Sequence, residues 1–279
     1  MKVWLKRIAW VTLAIGVIAL MFMVQSAQRE AQVVKPEIVI HVSGEHAFLT
    51  EDELYDRLKR KGFFRDGLRH DELNVSGIEK YIRSMSEVKD VKVFTGIGEK
   101  WSIDITVRKP IARIFNKYGQ SYYLDEDGVV MKTSDLHTAR VVVVTGYLAD
   151  KSNSISVPEI INNDSLKSIR KLDDVYRISN YVCNDPFLHS LVGQIHLKKN
   201  GDFVLIPLVG GQKIVFGSAH SDEEVKEKFD KLKIFYSEAI SYEGWNKYDE
   251  ISLKYKDQIV GRKVDGYVEE EIKEESKTQ

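Results

Sequence analysis

At 279 residues, with 43% hydrophobic and 30% charged content, the chain is long enough for about two globular domains, each able to bury a core. Its 41 Lys and Arg balance 42 Asp and Glu, and the resulting net charge of -1 excludes a general attraction to nucleic acid or anionic lipid. The one cysteine, Cys183, excludes an intramolecular disulfide framework and reads as a small core hydrophobe rather than a reactive thiol.

In chain order, the first feature is an uncharged run of 17 residues from Ile8 to Val24. As a helix it would extend roughly 26 Å, just enough to cross a hydrocarbon core of roughly 30 Å. Lys2, Lys6 and Arg7 precede it, while Arg29 and Lys35 beyond it are interleaved with Glu30 and Glu37, so the positive-inside rule places the N-terminus in the cytoplasm. A cleaved signal peptide shares the basic start, but this apolar run is too long for one and Val24-Gln25-Ser26 is a poor cleavage site. Under either reading, everything after about Gln25 is exported.

Glu37 to Val42 reads as a strand punctuated by Ser43-Gly44. Thr50 with Glu53 forms a capping box for a helix bearing Leu54 and Leu58 and ended near Gly62. A second helix starts near Asn74 or Ser76, with Ile78 and Ile82 one turn apart and Met85 continuing the stripe. Val91 and Val93, then Trp101, Ile103, Ile105 and Val107, alternate with polar residues, the signature of a half-buried antiparallel hairpin.

A second domain begins near Pro110. Tyr122 to Leu124 and Val129 to Met131 read as strands joined by a turn on Asp127-Gly128, and Val141 to Val144 as another. Asn163 or Asp164 is expected to cap one helix carrying Leu166, Ile169 and Leu172, with Val175 and Tyr176 on the same stripe. After Pro186 a meander of three strands is expected at Gln194 to Leu197, Phe203 to Leu208 and Lys213 to Phe216, turning on Asn200-Gly201 and Gly210-Gly211. Ser221 with Glu224 opens another capped helix, with Val225, Phe229, Leu232 and Tyr236 on one face. The last strand is expected at Glu250 to Tyr255, free at its edge, before a charged tail, EEEIKEESKTQ from Glu269.

No motif of chemistry stands out. The seven histidines, His41, His46, His70, His137, His189, His196 and His220, include no pair at H-x-x-x-H spacing. Asp125-Glu126-Asp127-Gly128 resembles part of a calcium loop, but a turn explains it more simply. Gly96-Ile97-Gly98 lacks the rest of a dinucleotide fingerprint, and neither a P-loop nor a G-x-S-x-G sequence occurs. No catalytic, metal or cofactor site is therefore assigned.

The residues do resemble a family. The β-α-α-β-β order over residues 36–109 is that of a POTRA domain. His41-Val42-Ser43-Gly44 stands where the FtsQ/DivIB family has the V-x-G run that begins that domain. Val107-Arg108-Lys109-Pro110-Ile111-Ala112 resembles its E-R-x-P-x-A junction, with Val107 in place of the acid. Tyr123-Leu124-Asp125 with Asp127-Gly128 resembles its L-D-x-x-G hairpin, and Phe216-Gly217 its terminal L-G. Ile251-Ser252-Leu253-Lys254-Tyr255 resembles its I-D-L-R-Y strand, with Ser for Asp and Lys for Arg.

The resemblance implies an α+β protein with a cytoplasmic segment at 1–7, a transmembrane helix at 8–26, a linker at 27–35 and a POTRA domain at 36–109. It further implies a mixed α/β "β-domain" at 110–264, with an antiparallel meander and an edge-ready last strand, and a disordered acidic tail at 265–279. The implied protein is a non-catalytic divisome scaffold of the inner membrane at the septum, binding FtsB and FtsL homologues and helping regulate septal peptidoglycan synthesis. Such binding would proceed by β-augmentation on the last strand, with Ile251, Ser252, Leu253, Lys254, Tyr255, Lys256 and Ile259 as the docking residues. Lys254 and Lys256 there read equally as guards against indiscriminate strand pairing or as attractors of an acidic partner. The alternatives are an anchored single-POTRA assembly or secretion factor and a cell-wall hydrolase.

Overall fold

A computed structural model describes residues 2–30, 32–42, 48–65, 67–96, 100–134, 137–153, 156–167, 169–240, 244 and 247–265. His46, the Ser43-Gly44 punctuation, the end of the Gly96-Ile97-Gly98 run and the tail from Gly266 onward lie outside these residues. The folded chain divides into two compact units, Met1–Lys109 and Pro110–Gln279.

The first unit opens with α1 (Lys2–Glu30), a helix of 29 residues. Its described side chains are exposed, Trp10, Leu13 and Phe22 among them. Among the described residues no helix is long and apolar enough to cross a membrane.

β1 (Glu37–His41), α2 (Glu51–Arg60), α3 (Val75–Arg83), β2 (Val88–Thr95) and β3 (Trp101–Val107) follow in the expected order. β3 lies in the middle of a three-stranded sheet, parallel to β1 and antiparallel to β2. Strict alternation along β3 turns Trp101, Ile103, Ile105 and Val107 onto Leu54, Leu58, Ile78 and Ile82 of the helices, and all eight are buried. Each such aliphatic side chain removed from water contributes roughly 1.5–3 kcal/mol.

Thr50 caps α2 by accepting from Glu53 N at 3.3 Å. The expected reciprocal half of that box is replaced, because the Glu53 carboxylate turns to Arg57, which also donates to Glu87. Residues 32–34 belong to this body as well: Val33 N donates to Leu68 O (2.8 Å) and Trp101 Nε1 to Val34 O (2.7 Å).

The second unit is a nine-stranded mixed sheet in the order β12-β11-β10-β9-β8-β7-β4-β5-β6. Its first strands are β4 (Pro110–Phe115), β5 (Ser121–Asp125), β6 (Val130–Met131) and β7 (Val142–Gly146). The β5–β6 turn is what the Asp-Gly pair demands. Gly128 adopts φ 75°, and Asp125 Oδ1 accepts from Asp127 N (3.0 Å) and Val129 N (2.6 Å). This resolves the calcium-loop resemblance in favour of a turn.

Between β7 and β8 the single expected helix is instead broken. α5 (Asp164–Lys167) and α6 (Leu172–Asn184) replace it, and two helices that the sequence did not suggest, α4 (Val157–Ile161) and α7 (Pro186–Leu191), flank them. The cause is Asp150, whose carboxylate accepts from Arg170 Nη1 (3.2 Å) and Lys171 N (3.4 Å) and ties the chain to the loop after β7 just before α6 begins. Ile169, expected on the apolar stripe, is therefore 75% exposed.

The meander forms as expected from β8 (Val192–Leu197), β9 (Phe203–Pro207) and β10 (Lys213–Gly217), and α8 (Asp222–Ile234) returns the chain to β11 (Tyr248–Ser252) beside β10. α8 passes into a π-helical turn, Phe235–Ala239. One continuous core unites the inward side chains of the sheet with α6 and α8, where Phe229 lies between Phe216 and a stacked Tyr181.

The largest correction concerns the end of the sheet. The run Glu250 to Tyr255 is not a free edge, because a further strand, β12 (Val260–Lys263), pairs antiparallel with β11 and takes the outer position. Its composition concealed it: Val260 is its one apolar residue, and nothing in Gly261-Arg262-Lys263 alternates.

Candidate partner-docking edge

β11 is held on one flank by β10, parallel, with Ile251 opposite Ile214, and Leu253 N extends the ladder to Val215 O at 2.9 Å. β12 closes the other flank, with Ile251 opposite Gly261 and Ser252 opposite Val260. Gly261 is needed there, because a Cβ would lie 2.6 Å from the Tyr248 ring that covers the strand backbone. Arg262 clamps the hairpin through both oxygens of Asp249, at 2.9 and 2.7 Å. That fork lowers the Asp249 pKa and raises that of Arg262, each primarily through the hydrogen bond between them.

All four residues of β12 are exposed, and no described strand pairs with its outer side. The outer flank of the strand is therefore an accessible sheet edge with respect to the described strands.

The seven expected docking residues divide into three groups. Ile251 and Leu253 are fully buried core residues, and Ile259 packs partly against the same core. Ser252 sits within β11, and Lys254, just after it, pairs with Asp202 at 2.8 Å, which lowers the Asp202 pKa and raises its own. Tyr255 and Lys256 occupy the β11–β12 turn, with Tyr255 50% exposed and its carbonyl accepting from Lys231 Nζ at 2.9 Å. Sequence reasoning missed Val260 and Arg262. The signal in the sequence was Asp257 itself, a residue type that tolerates the left-handed turn conformation it adopts here, with φ 56°.

Among the described residues no group of three His, Cys, Asp or Glu side chains could hold a metal ion. Among the described residues the buried cations Arg177 and Lys228 are both paired. Arg177 bonds Asp173, Asp174 and the carbonyl of Ala219, and burial raises the Asp174 pKa against the pull of Lys171. Lys228 is held by Glu224 and Ser218; burial opposes ionisation of Glu224, yet Lys228, Ser218 and the His220 N–H bring its pKa down to about 2. These clusters knit helices to the sheet.

No curated protein matches the chain. A family model described as FtsQ/DivIB, C-terminal related, matches residues 109–262, more than half of the chain and nearly all the described part of the second unit. With that match on a sheet ending in the β11–β12 hairpin, the chain belongs to the FtsQ/DivIB, C-terminal related family of cell-division proteins.

Proposed function

We propose that the protein is a non-catalytic divisome scaffold, anchored in the inner membrane by α1, that captures extended segments of FtsB and FtsL homologues on the outer edge of β12. The observation that carries the reading is the outermost described strand, four exposed residues at an end of the nine-stranded sheet where no described strand pairs further. The family match supports a role in division, where partners rather than substrates are expected.

The anchor is supported by the uncharged run Ile8 to Val24 within a continuous helix of 29 residues, about 43 Å at 1.5 Å per residue. The flanking Lys2, Lys6 and Arg7 in this reading keep the N-terminus in the cytoplasm, and the folded chain after α1 is exported. In this reading the β-α-α-β-β unit is the POTRA domain and the nine-stranded unit the β-domain, acting at the septum.

A four-residue edge adds only a few backbone hydrogen bonds, each contributing roughly 0.5–1.5 kcal/mol, while ordering a flexible partner costs roughly 2–5 kcal/mol. Side-chain anchors must supply the remainder. Tyr255 and Val260, both exposed at this edge, are the apolar anchors, with Ile259 behind them and the exposed Lys256 selecting acidic neighbours.

Photo-crosslinking in growing cells tests this, with the probe placed singly at Tyr255, Val260 and Arg262 and, as a control, at Lys92 on β2. Capture of a small single-span coiled-coil protein at the β12 positions and not at Lys92 is expected. Capture of outer-membrane precursors there would establish the assembly-factor alternative instead, and capture only at Lys92 would remove the edge from consideration.

A further inference from the structure

β4, β7 and β8 run parallel side by side, so the loops that follow them converge at one end of the sheet, opposite the end where the chain enters at Pro110. Lys117 N bonds to Leu148 O and Tyr147 N to Leu197 O, both at 2.9 Å, locking the three loops together. Asn116 adds a side-chain bond to Asp150 O at 2.8 Å. The surface so fixed carries Lys117, Tyr118, Tyr147, Lys151, Lys198 and Lys199, all exposed.

The lysines stand over aromatic faces. Lys117 and Lys151 approach the Tyr118 ring from 5.2 and 5.4 Å, and Lys199 the Tyr147 ring from 5.1 Å. Both tyrosines are about half exposed, and tyrosine is a residue type enriched at interfaces. The carboxylates in the same loops are already committed, Asp150 buried against Arg170 and Asp202 paired with Lys254. Lys117, Lys198 and Lys199 form no ion pair with any described residue.

We propose that this surface, distinct from the β12 edge, docks a carboxylate-rich peptide segment of a partner protein. The ring faces already hold ammonium groups, so the surface presents positive charge and phenolic edges rather than open platforms for sugars or bases. It offers lysines without an arginine fork or a buried donor, which suits separate carboxylates better than bidentate phosphate recognition. Three adjacent strand ends at about 4.8 Å spacing span about 10 Å, the length of about three residues of an extended segment, so a short peptide covers the surface. Exposed pairs of this type bind weakly and are screened by salt, so the contact is a rapid, reversible one.

The test uses the full chain in neutral detergent and a fluorescein-labelled hexaglutamate peptide, read by anisotropy at 50 and 300 mM salt. Binding that weakens about tenfold in the Lys117→Glu, Lys198→Glu, Lys199→Glu variant is expected, with less than a twofold change when Lys80, Lys92 and Lys167 are reversed instead. Circular dichroism confirms that both variants fold. Equal losses in the two variants would reduce the effect to net charge and overturn the proposal. So would absence of peptide binding at 50 mM salt, or loop-dependent binding to phosphatidylglycerol vesicles without peptide binding, which would assign the surface to a bilayer.

Discussion

The nine-stranded sheet ends in two different ways. At one end β6 has two residues, and Met131 is fully buried. The neighbouring loop covers that end, with Ala139 N bonded to the Tyr123 hydroxyl at 3.3 Å. At the other end β12 has four residues, all exposed, stiffened from within by the Arg262–Asp249 fork and the Tyr248 ring over Gly261. A sheet edge is normally protected by shortness, burial or charge. The first edge uses the first two, whereas the second is accessible and carries Arg262 and Lys263; in the function proposed above it is the strand-docking site.

Substitution of equal chemistry at the two ends breaks the comparison most sharply. Met131→Lys would bury an unpaired ammonium and should lower unfolding free energy by about 3–5 kcal/mol in a denaturant titration. Val260→Lys, on the exposed edge, should stay within about 0.5 kcal/mol of the parent while weakening partner capture. If both variants lost stability alike, the β12 edge would be packed rather than available.

A second, smaller effect separates ionic contacts that hold the fold from those at the docking edge. Glu224 is ionised with a pKa of about 2 against an ordinary 4.5. Its contribution is therefore fully present above about pH 4.5 and disappears as pH falls towards 2. Glu224→Gln leaves Lys228 buried with only Ser218 beside it and should cost about 1–2 kcal/mol at pH 7, reduced from the full shift by partial solvent screening. The gap between the two proteins should close when urea titrations are repeated between pH 4.5 and 2, whereas a constant gap would mean that packing accounts for the loss.

The smallest expected effect on folding is that of Tyr255→Ala. The side chain is half exposed and its hydrogen bond to Lys231 uses the backbone carbonyl, which alanine retains. The thermal midpoint should hardly move while affinity for the captured partner falls about tenfold, as removal of an aromatic interface anchor does. Unchanged affinity by surface plasmon resonance would move the anchor to Val260 or Ile259.

Much of the molecule is readable from its residues because burial imposes a period. The alternation from Trp101 to Val107 defines β3, the Thr50 and Ser221 caps start α2 and α8, and the Asn-Gly and Gly-Gly pairs turn the meander, each through local geometry that a short segment carries by itself. The order of elements in the first unit, and the meander and α8 of the second, follow from those local rules. Three features do not. The break before α6 depends on a carboxylate, Asp150, from a distant loop. The neighbours of each strand in the large sheet depend on crossovers through α6 and α8. β12 exists because β11 offers it a ladder and Asp249 a charge partner, not because Val260-Gly261-Arg262-Lys263 prefers to be a strand. The sequence determined the pieces whose stabilising contacts lie within a few residues or on one periodic face. Only the tertiary structure decided which strand stands outermost, because pairing between segments remote in sequence leaves no periodic trace in either of them.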